Sequence, residues 1–313
     1  MKKKLIILIL GPTCVGKTLL SIFLAKKLNT EILSIDSRQF YRELKIGSGM
    51  PTKTELNTIP HHFIGHLCLH KNYNAKLFEV DFYKKISNLF IKYSVLIAVG
   101  GSSLYEKSIT VGLSEIPKID TTIIKKDLIF NFKKFGIEFL QKEFEKIRTK
   151  NDVIDIKNPR RLIRYLEIFK STGKNPSFFF KKKIKERFFK ILKIGIYLSK
   201  KEHFIRIDNR VNNMIKQGII DEAIRFYHFR HLNSLQTIGY KELFSFFSKK
   251  KEYINLQFTI EKIKINTRKY VKKQITWYKK SNDIKWFYTE NKNEILDFIL
   301  KKIEKWAILD LNQ

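Results

Sequence analysis

The 313-residue sequence holds only two cysteines, Cys14 and Cys68, too few for a disulfide framework and without metal-like spacing. A reducing, cytoplasmic compartment is therefore expected. The composition also excludes a collagen-like or disordered chain, and no low-complexity linker or internal repeat occurs. Nowhere do 18 uncharged apolar residues follow one another, which excludes a transmembrane helix and predicts no membrane partner. The apolar run 5–10 follows lysines as a signal peptide would, but Gly11-Pro12 ends it after six residues. Acidic residues are scarce too, 30 Asp+Glu against 62 Lys+Arg, and the resulting +32 suits a polyanionic partner such as nucleic acid or a phosphate-bearing substrate. Composition inflates that number, because 50 lysines beside 12 arginines, with 26 Phe and 5 Ala, is the profile of a gene drifting toward A+T-rich codons. Net charge alone does not separate an RNA-binding surface from a lysine-rich one.

What is present is apolar and periodic. Residues 5–10 form an unbroken apolar run, the pattern of a central strand buried on both faces of a parallel sheet. Leu20, Phe23, Leu24 and Leu28 then recur at helical spacing, and residues 31–35 read as a second strand, expected beside the first. Further apolar runs at 95–99 and 191–198 predict an α/β sheet. Between them, residues 120–190 carry only helical periodicity, so they read as an insertion. The expected division is an α/β core in two parts, 1–114 and 191–313, around a helical insertion at 115–190. Helices are expected at 206–229, 240–247 and 258–280.

Gly11, Pro12, Thr13, Cys14, Val15, Gly16, Lys17 and Thr18 match G-x-x-x-x-G-K-[ST] between a buried strand and a helix, the context that a phosphate-binding loop requires. Backbone N–H groups and the helix N-terminus converge on an anion, Lys17 adds a point charge, and the Thr18 hydroxyl can ligate Mg²⁺. A nucleotide hydrolase would add an acidic residue at the end of another apolar strand, yet the 95–99 strand ends in Gly100-Gly101-Ser102-Ser103. The loop thus suits a diphosphate that need not belong to ATP. Asp36, at the end of the second strand, suits Mg²⁺ ligation, proton acceptance or the capping of a turn. Its neighbours Ser37, Arg38, Gln39, Phe40 and Tyr41 bring together groups that read and stack a base. His61, His62, His66 and His70 lack the companions of a zinc site, Cys68 apart.

Taken in order, these motifs resemble the tRNA dimethylallyltransferases, also called tRNA isopentenyltransferases. Gly11 to Thr18 matches the family's GPTxxGKT, Asp36-Ser37 its DS, residues 46–51 (IGSGMP) resemble its IGTAKP, His61-His62 its PHH or PHR, and Gly100 to Tyr105 its GGTxLY. Asn158-Pro159-Arg160-Arg161, Arg206 with Arg210, Ile238 to Glu242 and Thr267 to Trp277 extend the resemblance, which runs from about residue 5 to residue 288. It implies a P-loop NTPase-like parallel sheet flanked by helices, with a helical insertion domain.

The activity implied is transfer of a dimethylallyl group from dimethylallyl diphosphate to N6 of the adenosine 3′-adjacent to the anticodon, position 37, in tRNAs reading codons that begin with U. The resemblance makes Asp36 the proton acceptor, places Lys17, Arg210 and Mg²⁺ on Thr18 at the diphosphate, and puts Ser102 at the base amine or the diphosphate. It assigns tRNA contact to Asp36, Ser37, Arg38, Gln39, Ser102, Ile124, Arg160, Arg161, Leu162, Ile163 and Arg164. A second group comprises Gln236, Thr237, Ile238, Gly239, Tyr240, Lys241, Lys273, Gln274, Trp277 and Lys280. The anticodon stem-loop is the implied partner, held by the helical insertion, and a monomer is implied. Met50, Gly65 and Ile124 depart from the family's Lys, Asp and Arg. Other readings are an adenylate isopentenyltransferase acting on a free nucleotide, a P-loop small-molecule kinase and a non-enzymatic RNA-binding protein. The block Arg160 to Arg164 and the basic helix favour tRNA over the first, the glycine-ended strand disfavours the second, and the Lys17, Thr18 and Asp36 set disfavours the third.

Overall fold

The computed structural model describes residues 4–117, 119–150, 152, 154–180, 187–248 and 255–311. Six parallel strands are β1 (Lys4–Leu10), β2 (Ile32–Ser34), β3 (His61–His62), β4 (Val95–Gly100), β5 (Phe189–Tyr197) and β6 (Ile284–Tyr288), in the order β3-β2-β4-β1-β5-β6. The helices are α1 (Lys17–Lys27), α2 (Lys53–Thr58), α3 (Ala75–Lys92), α4 (Ser103–Thr110), α5 (Thr122–Phe135), α6 (Ile137–Glu145), α7 (Pro159–Thr172), α8 (Lys200–Lys216), α9 (Ile219–Arg225), α10 (Tyr240–Ser248), α11 (Leu256–Tyr278) and α12 (Lys292–Leu311). Among the described residues no helix is long and apolar enough to cross a membrane.

The unbroken apolar run of β1 has the reason that its sequence implied. Ile6 to Leu10 are wholly buried, with β4 on one side and β5 on the other. The expectation that the second strand would lie beside the first is corrected. Residues of β2 pair with β4, Leu33 opposite Ala98, and β4 separates β2 from β1. The β1-α1-β2 crossover therefore skips one position, and the gap is filled by a strand that comes sixty residues later. Such a choice depends on long-range pairing and not on the local pattern.

The chain divides into two compact units, 1–111 with 186–313, and 112–185. Expected boundaries at 115 and 190 fall within a few residues of these; residues 189 and 190 belong to β5. The second unit is helical and has its own core. Leu128 of α5, Leu140 and Phe144 of α6, and Leu162, Tyr165 and Leu166 of α7 pack together at no more than 5% exposure. Asn158 caps α7 through the Arg161 N–H, with Pro159 in the first turn, where its missing N–H costs no hydrogen bond.

The expected helix over 206–229 starts earlier and breaks at Gly218, whose φ of 89° lies outside helical geometry, leaving α8 and α9 as separate elements. Helices α3 and α12 and strands β3 and β6 have no counterpart in the sequence reading. The first had a signal: Phe78, Phe82, Ile86 and Phe90 repeat every fourth residue and are all buried, behind Asn74 as the N-cap. A truncation of Leu166 to Ala empties a methyl-filled space in the core of the helical unit and should cost about 2–5 kcal/mol. Amide hydrogen exchange should report it as faster opening of α5, α6 and α7.

Candidate active site

The phosphate loop joins β1 to α1, and three side chains distant in sequence hold it. His203 of α8 has Nε2 2.7 Å from the Thr13 carbonyl oxygen, so the tautomer with the proton on Nε2 donates to it. Gln274 of α11 accepts from the Thr13 N–H at 2.9 Å, and Thr289 donates its hydroxyl to the Val15 carbonyl at 2.6 Å. Cys14 lies between these anchors with φ of 64°, a left-handed conformation rare for a residue with a Cβ. Burial first, with the Lys17 and Arg206 charges, pushes the His203 pKa down, against the bond to the Thr13 carbonyl, which raises it.

Lys17 donates from Nζ to the carbonyls of Gly11 and Pro12 at 3.0 and 2.7 Å. Burial pulls its pKa down to about 8. Asp36 and Cys14 oppose that shift and Arg210 reinforces it. Lys17, Asp36 and Arg210 therefore stand within electrostatic reach of one another, and all three line a cavity of about 390 Å³. The same cavity is lined by Thr13 to Leu19, Gln39, Ser48, Gly49, Val99, Gly100, Arg206, Asn209 and Asn213. One wall is thus a single face of α8, where Arg206, Asn209, Arg210 and Asn213 recur at helical spacing. Of these the sequence reading assigned only Arg210 to the diphosphate; the spacing around it was the available signal.

Beside α8 the cavity is lined by Ser48 and Gly49 of the loop 45–50. Glu222 of α9, 2% exposed, accepts from the backbone N–H groups of Lys45, Ile46 and Gly47 and from the Tyr240 hydroxyl at 2.5–3.2 Å. Burial first, then the Glu222 charge, drives the Tyr240 pKa far up, so the phenol stays a donor. Gly49 has φ of 61°, and a Cβ there would lie 2.0 Å from Arg210 Nη2. The bare glycine is what lets the guanidinium rest against this loop. Two of the departures from the family pattern meet nearby. A Cβ on Gly65 would lie 3.8 Å from Met50 Cε, so the two uncharged replacements are neighbours.

Asp36 follows β2, and its Oδ1 accepts from the Arg38 N–H at 3.1 Å, a turn that fixes the carboxylate. Its charge reaches two phenols. Burial pushes Tyr105 up to about 12, with Tyr41 and Asp36 adding to the rise and Arg38 opposing it. Tyr270, also held up at about 12 by burial, feels Asp36 and Arg38 in the same senses although 41% of the residue is exposed. Sequence reasoning missed both tyrosines as neighbours of Asp36, because the spacing of 69 and 234 residues carries no local signal.

Several residues expected to touch RNA have their side chains engaged inside the protein. Arg38 donates to the carbonyls of Asn233, Ser234 and Gln236, and Gln39 links the Ser34 hydroxyl to the Gly49 carbonyl. Gln236 donates to the Arg230 carbonyl, the Gly239 N–H is taken by Glu242, and Tyr240 is fully buried. Leu162 is core, and Ile163 and Ile124 pack against the same cluster, which is why an apolar residue suits position 124. Gln274 is 6% exposed. By contrast Arg160, Arg161, Arg164, Lys241, Lys273, Trp277 and Lys280 are exposed, while Ser37, Thr237 and Ile238 are half-buried. Ser102 precedes α4, half-buried, and is not among the residues lining the cavity. Of the histidines, His62 has Nε2 2.6 Å from Glu31 and His66 packs at right angles on Tyr73.

Residues 39–281 match the family model described as IPP transferase. The chain belongs to that family. It is 45% identical over 297 residues to a tRNA dimethylallyltransferase of Christiangramia forsetii, covering 94% of this chain and 97% of the relative. It is 44% identical to tRNA dimethylallyltransferase 2 of Azobacteroides pseudotrichonymphae, covering 92% and 93%. Among solved structures, a full-length tRNA isopentenylpyrophosphate transferase of Bacillus halodurans superimposes with a TM-score of 0.71 at 31% identity, over 99% of both chains. A eukaryotic dimethylallyltransferase, described as acting on tRNA, gives 0.71 at 28% identity over 91% of this chain and 74% of that one. The P-loop fold with parallel strands is thus shared across the family.

The Lys17 pKa has a consequence for anion binding. An incoming anion favours the charged ammonium, so above about pH 8 binding requires proton uptake and weakens as pH rises. Calorimetry with inorganic pyrophosphate between pH 7 and 9.5 should show this fall, approaching tenfold per pH unit above the pKa. Lys17→Met, measured alongside to subtract the titration of pyrophosphate itself, should lack it.

Proposed function

We propose that this chain transfers the dimethylallyl group of dimethylallyl diphosphate to N6 of the adenosine at position 37 of tRNAs reading codons that begin with U, releasing diphosphate. The observation that carries this reading is the single cavity in which a phosphate loop with Lys17, a carboxylate, Asp36, and the guanidinium of Arg210 converge. The names of the relatives and the family of the fold point the same way.

The reaction forms a bond between N6 of adenine and C1 of the allylic group as the C1–O bond breaks and its electron pair leaves with the diphosphate. Asp36 accepts the N6 proton, since an exocyclic adenine amine is a poor nucleophile until that proton has somewhere to go. The Arg38 N–H on Oδ1 orients the carboxylate for this step. Lys17, Arg210 and the loop N–H groups balance the charge that grows on the leaving diphosphate, with Arg206 close by on the same face of α8. Hard oxygen donors, the Thr18 hydroxyl and the Asp36 carboxylate, line this cavity and fit Mg²⁺, which Thr18 would hold and which would neutralise diphosphate charge.

The RNA partner is the anticodon stem-loop. An adenosine stacked in that loop must leave the stack to reach a carboxylate inside a cavity. Exposed Arg160, Arg161 and Arg164 on α7 and Lys273, Trp277 and Lys280 on and just after α11 supply phosphate contacts and a stacking surface. The chain acts in the cytoplasm as a monomer.

Incubating the protein with unmodified tRNA and AMP together, labelled dimethylallyl diphosphate and Mg²⁺ should place label in RNA at adenosine 37. Label in AMP instead would favour the free-nucleotide reaction, and no transfer to either would reject both. Asp36→Asn keeps the turn to Arg38 but lowers proton affinity, so kcat should drop about 10²–10⁴-fold with the tRNA Kd unchanged within twofold. Arg161→Ala should weaken tRNA binding and reduce the slope of log K against log salt by about 1, measured by filter binding. An unaltered slope would remove Arg161 from the phosphate contacts.

A further inference from the structure

Gln274 stands in a stretch that the family resemblance assigns to RNA, between exposed Lys273 and exposed Trp277, yet it faces the other way. The residue is 6% exposed and both ends of its carboxamide are engaged. Oε1 accepts from the Thr13 N–H at 2.9 Å, and Nε2 donates to the Gly101 carbonyl at 2.8 Å. The two loops so joined follow β1 and β4, adjacent strands whose carboxyl ends both reach the cavity. The gap between them is narrow. A Cβ at Gly101 would lie 2.6 Å from Gln274 Nε2, 3.2 Å from the Gly11 carbonyl and 3.5 Å from Lys17 Nζ. Only an uncharged side chain with an acceptor and a donor in one plane makes both bonds there. Because His203 takes the Thr13 carbonyl, the peptide groups before and after Thr13 are each held, one by Gln274 and the other by His203. Cys14 to Thr18 are then presented to the cavity in one shape.

We propose that Gln274 is a positioning residue for the diphosphate site and not an RNA contact: it ties the phosphate loop and the loop after β4 to α11. The same helix thereby serves both substrates, RNA on its exposed residues and the diphosphate through its buried amide. This rests on the function proposed above, whose leaving group is the ligand that the clamped loop receives.

The test separates two affinities. Gln274→Met keeps length and apolar fit but loses both hydrogen bonds, and Gln274→Ala is the second variant should the first repack. Both should raise the KM for dimethylallyl diphosphate and the Kd for inorganic pyrophosphate about tenfold, leaving the KM and Kd for tRNA within twofold. Lys273→Ala and Trp277→Ala should give the opposite split. Unchanged pyrophosphate binding in both Gln274 variants, or a tRNA affinity that falls as it does for Lys273→Ala, would overturn the assignment. So would equal losses of both affinities tracking a lower melting temperature, which mark a purely structural residue. Pyrophosphate binding needs no RNA, so an inactive parent that still binds pyrophosphate would sink the proposed reaction while this arm continued to test Gln274.

Discussion

The site depends on keeping a phosphate loop in one shape. A turn between a strand and a helix that aims its amides inward leaves backbone groups on its outer side unpaired, and includes a left-handed cysteine, Cys14. Left to itself such a segment would sample many conformations and bind an anion weakly. Here the outer side is satisfied by His203, Gln274 and Thr289, which come from α8, α11 and the residue just after β6. The late elements of the chain thus complete a loop that begins at residue 11, and the order of the sheet, with β5 and β6 beyond β1, brings them there.

A second device of the same kind shapes the loop 45–50 beside α8. Glu222, buried, draws three consecutive backbone N–H groups of the 45–47 segment and the Tyr240 hydroxyl onto one carboxylate. The N–H and O–H donors compensate its charge in place of a cation, which leaves Arg210 against Gly49 to serve the cavity. The guanidinium of Arg38 and the carboxamide of Gln39 are used likewise, on loop carbonyls around Asp36. Residues beside the reactive group therefore hold its surroundings, while cations on α7 and α11 stand exposed.

The opening charge of +32 narrows accordingly. Lys17, Arg206 and Arg210 line the cavity, and a few arginines and lysines on exposed helical faces suit a phosphate backbone. The lysine-rich remainder follows composition. Burial sharpens the few that matter, since it lowers the pKa of Lys17 and makes its charge responsive to an anion.

Local pattern by itself determined the phosphate loop, the buried character of β1, the helical insertion and the candidacy of Asp36, because each is written in neighbouring residues whose spacing maps directly onto a strand, a turn or a helix face. It also carried the ordered motifs that resemble the family. Tertiary structure alone decided that β4 lies between β1 and β2, that Tyr105 and Tyr270 stand near Asp36, and that Gln274 and Tyr240 point inward while Lys273 and Trp277 point out. The physical reason is range: strand order and the direction in which a polar side chain finds its partner are set by pairings tens to hundreds of residues apart, and periodicity within one element does not encode them.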